Sequence, residues 1–370
     1  MIYFDSAGSY KMLDEVIDTL KDTSYSLYAN PSSSHALGEL QANEIEHSRS
    51  VIADLIGCYP SEIIFTSGAT ESNNLALKQI LNQKEKAHII TSAVEHKCVL
   101  SILYFIRQQG HEVTVIQPNK NGTIELEAIK KEIKPNTQLI SLMHVNNELG
   151  VINPISEIGQ FCYQQDILFH TDAAQSFGKV EINVDDINID MMSISAHKIG
   201  GPKGIGALYI RDLRTKNLLP IIHGAGQESG LRGGTLATPL ILGFSKAISI
   251  FPSLYANKDF SKLYETFYKK IKESELEFRI NGQGGLKSII SITFENVDIP
   301  LFLRETSNDF AIAQGSACSS KEIEASHVLS AIGLSRQAAE NTLRLSFDHT
   351  TEVSSIEALI KSLLSFRHQS

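Results

Sequence analysis

Apolar positions recur every three to four residues from Ala36 to Ile56, with charged residues between them, and this spacing predicts a long helix. Glu62 to Thr66 then reads as a strand, and Ser67-Gly68-Ala69-Thr70-Glu71-Ser72-Asn73-Asn74 opens a helix running to about Gln83. Beyond it, apolar runs and amphipathic stretches alternate. Strands are predicted at His88–Thr91, Glu112–Ile116, Gln138–Met143 and Ile167–His170, with helices at Lys97–Gln109, Glu125–Ile133 and Ile155–Gln165. Strand and helix in strict turn imply an α/β fold, a mostly parallel sheet covered on both faces by helices. In such sheets ligands collect at the carboxyl ends of the strands.

Two more strands follow, Ile187–Ile194 and Ile205–Ile210, around the small-residue loop Gly200-Gly201-Pro202-Lys203-Gly204. A glycine-rich loop spans Ile221 to Thr238, and helices are predicted at Leu240–Phe251 and Lys258–Glu273. After that the alternation breaks down. Strands at Ser288–Phe294 and Thr342–Phe347 mix with helices at Pro300–Asn308, Glu324–Ile332, Ser335–Asn341 and Glu352–Phe366. The chain therefore divides into a large domain, 13–251, and a smaller α+β domain, 252–370, to which residues 1–12 are assigned.

Length agrees with this division, since 370 residues suffice for about two domains. The net charge of −9 is spread along the chain without a basic run, which argues against nucleic acid as the ligand. No apolar run reaches the ~20 residues of a membrane span, and Met1 to Asp5 lacks the basic and apolar segments of a signal peptide. A cytoplasmic protein off the membrane is expected. Cys58, Cys98, Cys162 and Cys318 are far apart, which speaks against a metal site or a disulfide framework.

Candidate chemistry gathers where the strands end. Lys198, in Ser195-Ala196-His197-Lys198, lies just past a strand in a loop of small residues, the setting an amine needs to attack a carbonyl cofactor. The helix start at Ala69-Thr70 presents free N–H groups and a hydroxyl suited to a phosphate, although an ordinary capped helix reads equally well. Asp172 can hold a pyridine nitrogen protonated, with Gln175 one turn on to bond a ring oxygen, or it can simply cap the next helix. His96 can stack on a ring and carry protons, though a lone histidine in such a turn is more often structural. Asn147, taken alone, signals only a loop.

Cys318 stands apart from the other cysteines. Gly315-Ser316-Ala317-Cys318-Ser319-Ser320-Lys321 surrounds it with small residues and a lysine, as suits an exposed, mobile nucleophile. Arg344, between Leu343 and Leu345, calls for a carboxylate partner, either a protein side chain or an amino-acid substrate.

In this order the motifs Thr66 to Ser72, Glu95-His96-Lys97, His144 to Gly150, Asp172 to Ser176, Ser195 to Lys198, Gly201 to Tyr209 and Gly315 to Cys318 resemble class V aminotransferases. Specifically they are similar to the NifS/IscS group of cysteine desulfurases, from Phe4 to about Phe347. The resemblance implies the fold type I of pyridoxal phosphate enzymes and a homodimer that turns L-cysteine into L-alanine. The sulfur would stay on Cys318 as a persulfide and pass to an acceptor or scaffold protein, for iron–sulfur cluster assembly or thiolation.

By the same resemblance Lys198 carries the cofactor, Asp172 pairs with its ring nitrogen and His96 stacks on the ring. Gln175 and Asn147 bond its oxygen or the substrate. Ala69, Thr70, Ser195 and His197 hold the phosphate with Thr235 from the second subunit, and Arg344 grips the substrate carboxylate. Departures from the usual pattern occur at Ser6 to Ser9, Gly200, Ser229 and Gly233. Competing readings are selenocysteine lysis or transamination on the same cofactor, and a weakly active sulfur-transfer scaffold. The loop around Cys318 favours desulfuration over transamination, and Lys198, Asp172, His96 and Cys318 together speak against the scaffold.

Overall fold

The computed structural model describes residues 1–82, 85–215, 217–314, 316–317 and 324–367. Cys318 lies outside the described residues. The chain opens with a two-residue strand, β1 (Ile2–Tyr3), and a helix, α1 (Asp14–Ser26), that the hydrophobic pattern does not signal. Only Val16 of α1 is buried, so polar residues dominate its sequence and no apolar stripe shows. The long helix α2 (Ala36–Ile56) occupies the predicted span.

The main sheet has seven strands: β2 (Ile63–Thr66), β3 (His88–Ser92), β4 (Glu112–Ile116), β5 (Thr137–Ser141), β6 (Leu168–Asp172), β7 (Met191–Ser195) and β8 (Gly206–Ile210). Their order is β2-β8-β7-β6-β5-β3-β4, and only β8 runs against the rest. Every residue of β2, β3, β7 and β8 is buried, as expected for strands covered on both faces. The close approach of β8 to the helix after β2 depends on Gly206. A Cβ there would lie 2.4 Å from the Ile194 carbonyl oxygen and 2.7 Å from Gly68 Cα.

Several predicted elements change on folding. The strand expected from Ile187 begins only at Met191, because Val184–Ile187 is a helical turn capped by Asn183, whose side chain accepts from the Asp185 and Asp186 N–H groups. The helix after Ser67 is α-helical over Ala69–Leu77 and tightens to a 3-10 turn over Lys78–Asn82. The helix expected to stop at Phe251 runs from Thr238 to Ala256 and carries Pro252 inside it. The helix expected from Glu324 begins at His327, where Ser326 accepts from the Val328 and Leu329 N–H groups.

The Thr238–Ala256 helix is 19 residues long, and an 18-residue stretch of it has a mean hydropathy of 1.3. Its apolar residues Ile241, Phe244, Ala247, Ile248 and Phe251 are buried in the main core, and it packs on α1 and α2. The run is a core helix covered by its neighbours.

A second, antiparallel sheet orders Ala313–Gln314, Thr342–Ser346, Ile289–Phe294 and Phe278–Asn281. The last of these is a strand the sequence reading omits, in which Phe278 and Ile280 are half-buried, Arg279 is exposed and only Asn281 is buried. The sheet packs with the helices Phe260–Lys272 and Val353–Ser365 around Phe267, Phe294, Phe302 and Phe347. Phe4 is buried in this second cluster, and β1 pairs with Phe310–Ala311. The N-terminal segment then crosses to the main sheet. Ala7 N donates to Ser346 Oγ at 2.9 Å, Tyr10 N to the His197 carbonyl at 2.9 Å and Leu13 N to that of Gly200 at 3.0 Å.

The glycine-rich loop is held against β2 by a buried pair. Arg49 Nη1 and Nη2 donate to Glu228 at 2.9 and 2.8 Å, and Glu228 also accepts from Phe65 N at 2.5 Å. Within the loop Gly233 has a packing reason, since a Cβ there would come within 2.5 Å of Gly224 N and Cα. A larger residue at 233 would have to push the two arms of the loop apart.

Candidate active site

A cavity of about 650 Å³ opens at the carboxyl ends of the main-sheet strands. Ala69, Thr70, His96, Asn147, Asp172, Gln175, Ser195, His197, Lys198 and Arg344 all line it. Residues as distant in sequence as Ala69 and Arg344 meet there because most of them end or follow a main-sheet strand or open the helix after it, while Arg344 reaches in from the middle of the strand Thr342–Ser346 of the second sheet.

Lys198 follows β7. Its Nζ donates to the carbonyls of Ala7 at 2.6 Å and Gly8 at 2.8 Å, both from the crossing N-terminal segment. Desolvation and the Arg344 charge outweigh Asp5 and Asp172 and bring its pKa down to about 8. An amine so tuned is neutral far more often at physiological pH than a surface lysine.

Asp172 ends β6 and is buried. Oδ2 accepts from Asn73 Nδ2 at 2.8 Å and Oδ1 from Ala174 N at 3.0 Å, so the carboxylate is fixed from two sides. Gln175, also buried, donates from Nε2 to Ala7 O at 2.6 Å and accepts from Lys179 Nζ at 3.1 Å. Burial first and Lys198 second lower the Lys179 pKa to about 7.

His96 caps the helix Lys97–Gln108, its Nδ1 accepting from Cys98 N at 3.2 Å with Cys98 Sγ 3.0 Å away. The ring is open to the cavity, yet lost hydration, with Lys198 and His327 adding to it, lowers its pKa. The capping role accounts for its place in the turn and leaves the opposite ring nitrogen for other work. At the start of the Ala69–Leu77 helix, the first-turn N–H groups have no intrahelical carbonyl to bond. Ser67 N is taken by Glu71 Oε2 at 2.8 Å. His197 contacts Ser9 Oγ through Nδ1 at 3.3 Å, and burial lowers its pKa to about 4.

Thr235 is exposed and does not line the cavity. Asn73, Lys179, Cys98 and the N-terminal carbonyls are the partners that sequence reasoning missed. Asn73 left a trace, a poor helix former one turn inside a helix. Nothing along the chain connects Ala7 and Gly8 to Lys198.

Glu95 is a further buried group. Its Oε1 accepts from Ser92 Oγ at 2.6 Å and Met143 N at 3.0 Å, while Oε2 has no partner among the described residues. Burial pushes its pKa up to about 8. A carboxyl raised above its unfolded value stabilises the fold at low pH and loses that contribution as pH climbs through about 8. The melting temperature is therefore expected to fall between about pH 5 and 8 in wild type and to fall less in Glu95→Gln. Equal slopes in thermal melts of the two proteins would refute the assignment.

A ring bearing a phosphate, a carbonyl and a basic nitrogen fits these groups. The free N–H groups at Ala69 and Thr70, with Ser195 and His197 in the same cavity, suit the phosphate. The fixed carboxylate of Asp172 suits the nitrogen and the amine of Lys198 the carbonyl.

Comparison with known proteins agrees with this chemistry. The sequence profile of the family described as Aminotransferase class-V matches residues 2–359. A mitochondrial cysteine desulfurase of Candida albicans is 41% identical over 98% of this chain and 76% of its own length. The cysteine desulfurase IscS of Rickettsia typhi is 40% identical over 98% of this chain and 90% of its own length. Among solved structures, SspA in complex with cysteine superposes with a TM-score of 0.85 at 46% identity, covering 94% of this chain and 99% of that one.

Proposed function

Because this chain belongs to the aminotransferase class-V family, in the NifS/IscS group of cysteine desulfurases, we propose that its cavity takes L-cysteine and releases L-alanine. The enzyme is a cysteine desulfurase of a pyridoxal phosphate-dependent family. The observation that carries this reading is the meeting of Lys198, Asp172, His96 and Arg344 around one cavity, with the lysine pKa lowered to about 8.

Pyridoxal phosphate, when bound, supplies an electron sink that lets the α-proton leave and weakens the carbon–sulfur bond. Asp172, fixed by Asn73 and the Ala174 N–H, is placed to keep a ring nitrogen protonated. Gln175 is held by Lys179 with its amide toward the N-terminal segment, and Asn147 lies beside Arg344. Lys198, neutral near pH 8, takes the α-proton, and His96 passes a proton from its free ring nitrogen. Arg344 holds the substrate carboxylate.

Cys318 receives the sulfur as a persulfide and passes it to an acceptor or scaffold protein. A second cavity of about 330 Å³ shares His96, Asn147 and Arg344 with the first, and Ala313 and Gln314 line it. The strand that precedes the Cys318 stretch in sequence thus forms part of the site wall. The test is to incubate the protein with L-cysteine and measure alanine and sulfide. Alanine in equal amount to transferred sulfur is expected; turnover of L-selenocysteine alone would move the assignment to selenocysteine lysis.

We further propose a homodimer in which the exposed Thr235 of each subunit bonds the other's cofactor phosphate. Thr235→Ala is then expected to weaken cofactor retention by about 1–3 kcal/mol, the cost of leaving a charged oxygen without its donor. Absorbance after dialysis measures this, and a fully active monomer would refute it.

A further inference from the structure

Arg344 is already paired with a carboxylate of its own chain. Nη2 donates to Asp5 Oδ1 at 2.6 Å, Nη1 donates to Asn147 O at 3.0 Å, and Nε is buried without a hydrogen-bond partner among the described residues. Nε and Nη2 share one edge of the planar guanidinium, an edge that grips a carboxylate through two parallel bonds. Asp5 uses one half of that edge and leaves the other half unused. The side chain of Arg344 is 14% exposed and that of Asp5 33%, so Asp5 is the partner better able to swing toward water.

The placement of Asp5 depends on its neighbours. A Cβ at Gly8 would lie 2.6 Å from Asp5 Oδ2, so the carboxylate occupies space that residue 8 leaves by having no side chain. The backbone of the turn is fixed independently, with Gly8 N and Ser9 N donating to Asp5 O at 2.9 and 3.2 Å. The side chain can therefore rotate without unmaking the turn. The same turn delivers the Ala7 and Gly8 carbonyls to Lys198, which puts Asp5 two residues from the wall of the reaction site.

We propose that Asp5 is a built-in competitor for the substrate's α-carboxylate: it pairs with Arg344 in the free enzyme, yields the guanidinium edge when an amino acid enters, and so sets affinity and carboxylate selectivity. The proposal rests on the reading of Arg344 as the holder of the substrate carboxylate. An amino acid replaces one ion pair with another and completes the two-pronged grip, because its carboxylate can engage Nε as well as Nη2. A ligand without a carboxylate finds Arg344 already satisfied and gains nothing from displacing Asp5. Selectivity thus comes from an occupied cation as well as from an attractive one.

Asp5→Asn in the cofactor-loaded enzyme tests this, with calorimetric titration of L-alanine and of L-alaninamide, which lacks the carboxylate. Alanine is expected to bind about three- to tenfold more tightly, the range for a partly exposed charge pair, with alaninamide unchanged. Gly8→Ala, which crowds the Asp5 carboxylate while keeping every charge, is expected to move the ratio in the same direction. Alanine binding that is unchanged or weaker in Asp5→Asn, or an equal change for both probes, overturns the proposal. A wild-type enzyme that binds the two probes equally overturns instead the reading of Arg344 on which it rests.

Discussion

Lys198→Ala is expected to stay colourless with pyridoxal phosphate and to release no measurable alanine from cysteine. The wild-type protein should turn yellow, and borohydride should fix the cofactor on the peptide containing Lys198. Loss of proton transfer alone accounts for about 10²- to 10⁴-fold in rate, and loss of the covalent attachment adds to it. The lowered pKa gives the prediction a second arm. Since burial and Arg344 hold the amine near 8, colour development by cofactor-free enzyme should quicken as pH rises through about 8. An unperturbed lysine would put that rise near ~10.4. A wild-type protein that never colours would remove the cofactor from the account.

Cys318→Ser separates binding from sulfur removal. Binding the amino acid and moving its α-proton involve Lys198, Asp172 and His96, none of which the substitution touches. Breaking the carbon–sulfur bond needs a thiolate that attacks the substrate sulfur: an S–S bond forms, the carbon keeps the electron pair, and a proton completes alanine. The variant is expected to change the cofactor spectrum on adding cysteine while alanine release falls by at least about a hundredfold, within the range for a lost nucleophile. Wild type should gain one sulfur atom on the Cys318 peptide, removable by a thiol reductant as sulfide. Alanine formed by Cys318→Ser at the wild-type rate would exclude the persulfide route.

Both substitutions act on residues visible in the sequence, and the reason is local. Asp172 ends a strand, Lys198 lies three residues past one and His96 four, where an apolar run has stopped and a polar residue with a chemical role stands out. The alternation of strands and helices was legible because both faces of the sheet are covered, which makes strands such as Gly206–Ile210 continuously apolar. What stayed hidden depends on contacts far apart in the chain. Helix α1 buries too little to leave a pattern, Pro252 sits inside a helix that its neighbours hold together, and Phe278–Asn281 is a strand only because Ile289–Phe294 pairs with it. Arg344 called for a carboxylate, and the sequence left open whether a side chain or a substrate supplied it. Asp5 is the side chain, 339 positions away.

The crossing N-terminal segment has a consequence for biosynthesis. Residues 6–10 leave the ribosome 339 to 341 residues before their partners Ser346, Phe347 and His349, yet they bond them. Until those residues emerge, Ala7 and Gly8 lack their anchor on the second sheet and are held to the main sheet through Tyr10, Leu13 and Gln175, so the central sheet can assemble around a less shielded amine. Full closure of the site thus waits for the second sheet to be made. A nascent chain stalled before residue 340 would present a complete main sheet whose lysine is more open to small aldehydes, and arrival of the Thr342–Ser346 strand would restrict that reactivity.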